Sequence, residues 1–158
     1  GALYRERPCL WRRDHDAEGF QWIDCLDREN SVLAFCRRDG DEHLVVVLNL
    51  TPVTHQTYRI GAPQAGRYRL VLNTDDAQFD GTGFEVATEL ATEDEPQHGF
   101  PQSLTLRLPP LSALVFEPIA VKKPTKKKAA KKTVAKQPAA KKAAAKAAPK
   151  RKAASKKT

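Results

Sequence analysis

Nineteen carboxylates, four histidines and three cysteines are the side chains of this 158-residue chain that could carry acid–base, metal or thiol chemistry, and their spacing argues against all three. General acid–base work needs carboxyl groups converging on one reacting centre. Asp75-Asp76 and Glu93-Asp94-Glu95 instead run side by side in Thr-, Gly- and Asp-rich stretches, where carboxylates are solvated or cap turns. His15 lies between Asp14 and Asp16, and His43, His55 and His98 are scattered without metal-ligand spacing, which reads as surface or hydrogen-bonded histidines. Cys9, Cys25 and Cys36 are odd in number and lack a Cys-x-x-Cys step, so they are expected as buried reduced thiols rather than as a disulfide framework or a zinc site. No catalytic, cofactor-binding or metal-ligating residue is expected. Trp11, Trp22, Tyr58, Tyr68 and Phe79 could offer flat rings to a sugar, but rings at alternate strand positions more often pack inside. Trp22, Tyr68 and Phe116 are therefore expected in the core.

Charge divides the chain in two. Residues 1–121 contain no lysine and set 11 Arg against 19 acids, a net of −8; residues 122–158 carry 15 Lys and Arg151 with no acid, a net of +16. The overall +8 describes neither part. Roughly 120 residues suffice for one compact domain, whereas residues 122–158 have one Val and no Leu, Ile or aromatic residue and cannot offset the entropy of ordering. Residues 121–158 are expected to be a disordered basic tail. No run approaches the length of a membrane-spanning helix and no basic-then-apolar leader opens the chain, so a cytoplasmic protein without a membrane partner is expected.

The elements that would position these side chains read as strands. Residues 2–7 look like a helix end stopped by Pro8. From Phe20 the spacing alternates, with Phe20, Trp22 and Asp24 on one side and Gln21, Ile23 and Cys25 on the other. A strand over 31–37, an Asp39-Gly40 hairpin turn and a strand over 43–50 follow; the run Leu44-Val45-Val46-Val47-Leu48 is apolar on both faces and belongs at the centre of a sheet. Further strands are expected over 56–60, 67–73, 103–108 and 112–117, with 61–66 a turn and 74–102 a long irregular loop. Seven short strands without intervening helices predict an all-β antiparallel sandwich.

Several blocks in this order say more. Leu3-Tyr4-Arg5, Gly19-Phe20-Gln21-Trp22, Ser31-Val32-Leu33-Ala34-Phe35, Asn49-Leu50-Thr51-Pro52-Val53, Tyr58-Arg59-Ile60-Gly61, Gly66-Arg67-Tyr68, Leu72-Asn73-Thr74-Asp75 and Leu108-Pro109-Pro110-Leu111 together resemble the C-terminal all-β domain of bacterial 1,4-α-glucan (glycogen) branching enzymes of the α-amylase superfamily. One departure is visible: after Asp75 the family has a small residue, an aromatic and a Gly-rich turn, and here Phe79 fills the aromatic position while Asp76 and Asp80 are additional acids.

The resemblance implies three parts. Residues 1–13 would be the end of the last helix of a catalytic (β/α)₈ barrel and a connection, residues 14–120 a non-catalytic sandwich, and residues 121–158 an addition. Retaining glycosyl transfer uses two carboxyl groups about 5–5.5 Å apart, and the resemblance assigns both to barrel strands ahead of Gly1, so this chain alone would be inactive. Leu3, Tyr4, Trp11 and Phe20 are the candidates for contact with that barrel, and α-glucan would be met through the larger enzyme. A standalone carbohydrate-binding module remains an alternative. The basic tail resembles the Lys/Ala/Pro-rich arms of linker-histone-like proteins, which makes Lys126, Lys127, Lys128, Lys131, Lys132, Lys141 and Lys142 candidate contacts to nucleic acid or another polyanion; a solubilising extension without a dedicated partner is the plainer reading.

Overall fold

A computed structural model describes residues 1–119. The basic segment 121–158, with the seven lysines named above, lies outside the described residues. A short helix α1 (Ala2–Glu6) opens the chain and stops where expected, because Arg7 before Pro8 takes an extended backbone, φ −117°, ψ 95°. Eight strands follow: β1 (Phe20–Asp24), β2 (Val32–Asp39), β3 (Glu42–Asn49), β4 (His55–Ala62), β5 (Arg67–Asn73), β6 (Glu89–Ala91), β7 (Gln102–Leu108) and β8 (Ser112–Ile119).

All pairings are antiparallel. One sheet has the order β1-β2-β3-β8-β5-β6, and β4 pairs with β7 in a second. The alternation expected from the sequence decides which side chains meet between them. Val32, Ala34, Cys36, Val45, Val47, Tyr68, Leu114 and Phe116 from the large sheet pack against Ile60, Ala62, Leu104, Leu106 and Leu108 from the small one. This is the antiparallel sandwich expected, with Tyr68 and Phe116 fully buried.

The structure corrects several details. The loop expected over 74–102 contains an eighth strand, β6, which pairs with β5; at three residues it is too short to show alternation. The 61–66 turn begins later, since Gly61 and Ala62 continue β4. At the β2–β3 hairpin Asp39 pairs with Glu42, so the two-residue loop is Gly40-Asp41, and Gly40 supplies the left-handed φ of +62° that its first position demands. A register shift between Leu70 and Leu72 breaks the alternation of β5 and brings Leu72 opposite Val115. Cys9 and Cys36 are buried, whereas Cys25 is exposed, because β1 ends at Asp24 before its alternation reaches it. Trp22, expected in the core, is 48% exposed: on edge strand β1 it is Ile23 that points inward.

Candidate functional site

The apolar run of β3 requires cover on both faces, and the outer face of the large sheet is where cover is incomplete. Cross-strand pairing lines up Trp22, Phe35, Val46, Val115 and Leu72 on five successive strands. A neighbouring row holds Leu33, Leu48 and Ala113. The N-terminal segment covers part of this surface: Leu3, Cys9 and Leu10 pack with Leu44, Val46, Val115, Phe35 and Leu72 in a second apolar cluster. Burial there pushes the Cys9 thiol up to about 11, so it stays protonated and behaves as a small apolar group.

Charged pins hold that segment in place. The Arg7 guanidinium donates through Nε and approaches through Nη2 the same Glu117 oxygen, each at 2.8 Å, while Arg69 binds the other carboxylate oxygen. Burial opposes ionisation of Glu117, but the hydrogen bonds from Arg69 and Arg7 outweigh it and hold the carboxyl below its usual range. Arg37 Nη2 donates to the Leu10 carbonyl (3.1 Å) and to Asp14 (2.7 Å), and Arg12 pairs with Asp39 (2.8 Å). These contacts tie residues 7–14 to β2 and β8, and Arg69 of β5 braces the Glu117 carboxylate they use.

What remains open is aromatic. Tyr4 is 53% and Trp11 40% exposed, the latter with Arg12 stacked over its ring. Phe20 stacks on Phe35 (5.3 Å between centroids), and Trp22 stands edge-on to both, 4.9 Å from Phe20 and 5.9 Å from Phe35. Between the helix and the row lies an open groove of about 450 Å³, lined by Leu3, Tyr4, Leu10, Phe35, Val46 and Leu72 among others. Of the residues singled out by resemblance, Leu3 is thus half covered by the sheet, Tyr4 and Trp11 face outward, and Phe20 is backed by Phe35. Sequence reasoning missed Trp22, Phe35 and the Glu117 joint. The uninterrupted apolar run of β3 was the signal that something must lie on this face.

The acids weighed for chemistry sit elsewhere, on structural partners. Asp75 accepts from the Thr82 amide and hydroxyl and from the Phe84 amide, and Asp76 caps the turn over 77–79. Glu93 and Glu95 both pair with Arg59. His43 bonds Tyr68 (3.0 Å), and His98 sits 3.3 Å from Asp24 while accepting the Gly61 amide. These contacts orient loops, and the carboxyl pair that does converge, Glu93 with Glu95, is neutralised by the Arg59 guanidinium between them.

Comparison with known proteins agrees with the all-β architecture. Residues 22–119 match the family model described as the alpha amylase C-terminal all-beta domain. The chain is 51% identical over 117 residues to a 1,4-alpha-glucan branching enzyme GlgB of Burkholderia thailandensis, covering 72% of this chain and 14% of that protein. It is 44% identical over 117 residues to the enzyme of the same name from Francisella philomiragia (73% of this chain, 18% of the relative). Against that of a Synechococcus strain it is 46% identical over 118 residues (73% and 16%). The chain therefore spans less than a fifth of the length of these curated relatives.

Proposed function

The chain belongs to the family of alpha-amylase C-terminal all-beta domains, and from that premise we propose that it is the non-catalytic C-terminal domain of a glycogen branching enzyme, with the outer face of its large sheet packed on a catalytic (β/α)₈ barrel. The larger enzyme would move α-1,4-glucan segments into α-1,6 branches, and this domain would brace one side of the barrel. The observation that carries the reading is the incompletely covered outer face, where Tyr4 lines an apolar groove and Trp11 and Trp22 stand exposed. Leu3, Tyr4, Trp11 and Phe20 would contribute to the contact, and Trp22 joins them.

The test is a chimaera in which residues 1–119 replace the matching domain of the Burkholderia relative. Tyr4→Asp should be nearly silent for stability in the isolated chain, where its side chain is exposed, whereas Trp22→Asp also loses the edge contacts to Phe20 and Phe35 and should cost about 1 kcal/mol there, the baseline against which the chimaera is read. Both should cut the branching activity or thermal stability of the chimaera; unchanged behaviour of both variants would remove the docking surface. The 158-residue chain alone should form no α-1,6 linkages from linear glucan, scored by proton NMR. Branching by the pure chain would end the non-catalytic reading.

A second reading rests on Trp22 itself. Its indole is fixed by two edge contacts, which lowers the entropy cost of stacking on a pyranose ring. Retardation of the chain in a native gel containing glycogen, abolished by Trp22→Ala, would support direct glucan contact. For residues 121–158, net charge supports salt-sensitive contact with a polyanion through Lys126, Lys127, Lys128, Lys131, Lys132, Lys141 and Lys142. No helix among the described residues is long and apolar enough to cross a membrane.

A further inference from the structure

The inward row of β2 runs Val32, Ala34, Cys36, and its fourth member is Arg38, directly opposite His43 on β3. A guanidinium at the end of an apolar row calls for a partner. Among the described residues Arg38 forms no ion pair: the neighbouring Asp39 carboxylate is taken by Arg12 at 2.8 Å, the Cys36 thiol lies against the guanidinium, and the Arg38 Nε is buried without a hydrogen bond.

Beside it the structure holds a preformed space. Tyr68 donates its hydroxyl proton to the Gln64 carbonyl and accepts the Gln64 amide, both at 3.1 Å, so the proton in its 3.0 Å bond with His43 comes from His43 Nε2. This network fastens the turn after β4 to the β2–β3 hairpin. The two loops flank a half-open cavity of about 190 Å³ lined by Arg38, Gly40, Asp41, His43, Pro63 and Gln64. Its volume is below the roughly 300–1,000 Å³ typical of pockets for drug-sized ligands. Burial, with Arg38 adding to it, pushes the His43 pKa down, so the imidazole is neutral at pH 7 and Arg38 is the cation of the lining.

We propose that this cavity binds inorganic phosphate, with the two Nη atoms of Arg38 donating to its oxygens and Asp41 accepting from a P–OH. A guanidinium fork matches the oxygens of a tetrahedral oxyanion. The carboxylate of Asp41 would repel a fully deprotonated anion, but phosphate near neutral pH still carries a proton to donate, and sulfate does not. The site is separate from the outer face and does not depend on what covers that face. A phosphate monoester, with a second pKa of about 6, has largely lost that proton at neutral pH, so the free phosphate ion is the ligand this lining fits.

The experiment is an amide-resolved NMR titration of the 158-residue chain with inorganic phosphate at neutral pH and constant ionic strength. Saturable shifts are expected at residues 38–43 and at Gln64, retained when residues 121–158 are deleted and weakened about tenfold or more by Arg38→Met. Absence of saturable shifts in the wild-type chain overturns the proposal even if the variant fails to fold. So does a response that vanishes with the basic segment, or one that survives Arg38→Met in a folded protein. Sulfate should bind at least about tenfold more weakly, and equal affinity overturns the role of Asp41. Methyl phosphate, largely without a P–OH at neutral pH, should likewise bind more weakly than inorganic phosphate, and equal affinity would also overturn the role of Asp41.

Discussion

Asn49 shows how one side chain can decide the shape of a sandwich end. It is 1% exposed at the close of β3. Its Nδ2 donates to the carbonyls of Val53 and Pro109, each at 2.7 Å, and its Oδ1 accepts the Thr51 amide (3.1 Å) and hydroxyl (2.9 Å). All four hydrogen-bonding capacities of the amide, two donors and two acceptor lone pairs, are therefore matched by the segments that follow β3 and β7. Removing the group strands two carbonyls and an amide, so Asn49→Ala should lower stability by about 2 kcal/mol. Asn49→Asp should cost at least as much, because it turns a carboxylate oxygen toward those two carbonyls. Urea unfolding of the chain checks this: the midpoint should fall with an unchanged slope, and an unmoved midpoint would show that water satisfies these loops equally well.

At the scale of elements, the segment after β5 repeats that logic around Asp75, which is 5% exposed. Thr82 donates to it through amide (2.9 Å) and hydroxyl (2.7 Å), and Phe84 through its amide (3.0 Å), while Gly81 passes so close that a Cβ there would lie 2.3 Å from the Asp75 backbone. Burial alone would raise the carboxyl pKa, but these hydrogen bonds outweigh it and depress it. A depressed folded-state value means that this stabilisation is present above the ordinary carboxylate range and is lost as pH falls through the lowered value. Hydrogen exchange at Thr82 and Phe84 should therefore accelerate, relative to amides of β3, on acidification below about pH 4, and in Asp75→Ala at neutral pH; equal protection in both proteins would show that the loop is held otherwise. This loop also marks where the sequence stopped being informative. Strands β2, β3, β5, β7 and β8 were legible because each buries one alternating row or two. Strand β6 was not, since three residues pinned by partners far along the chain carry no period, and the shift in β5 was invisible because Leu70-Val71-Leu72 is apolar in either register.

For the whole molecule, the outer face of the large sheet was half legible. The β3 run announced cover on both faces, yet which side Trp22 took depended on the pairing of an edge strand, and the Arg7–Glu117–Arg69 joint joins residues 110 positions apart that no local pattern connects. Charge, by contrast, is a sum and is read directly: a lysine-free part of −8 precedes a segment of +16. The two parts predict opposite responses to a polyanion. DNA should be repelled by residues 1–121 and attracted by residues 122–158, so binding should be lost altogether when the latter are deleted. If the seven named lysines meet phosphates of duplex DNA, the logarithm of affinity should fall with the logarithm of salt concentration with a slope of about −6, and replacing four of them with Gln should flatten it to about −3. Gel-shift or fluorescence anisotropy titrations between low and physiological salt supply both slopes. Binding that survives the deletion, or that ignores salt, would move the interaction onto the sandwich itself, where the net charge disfavours it and a specific site would have to be found.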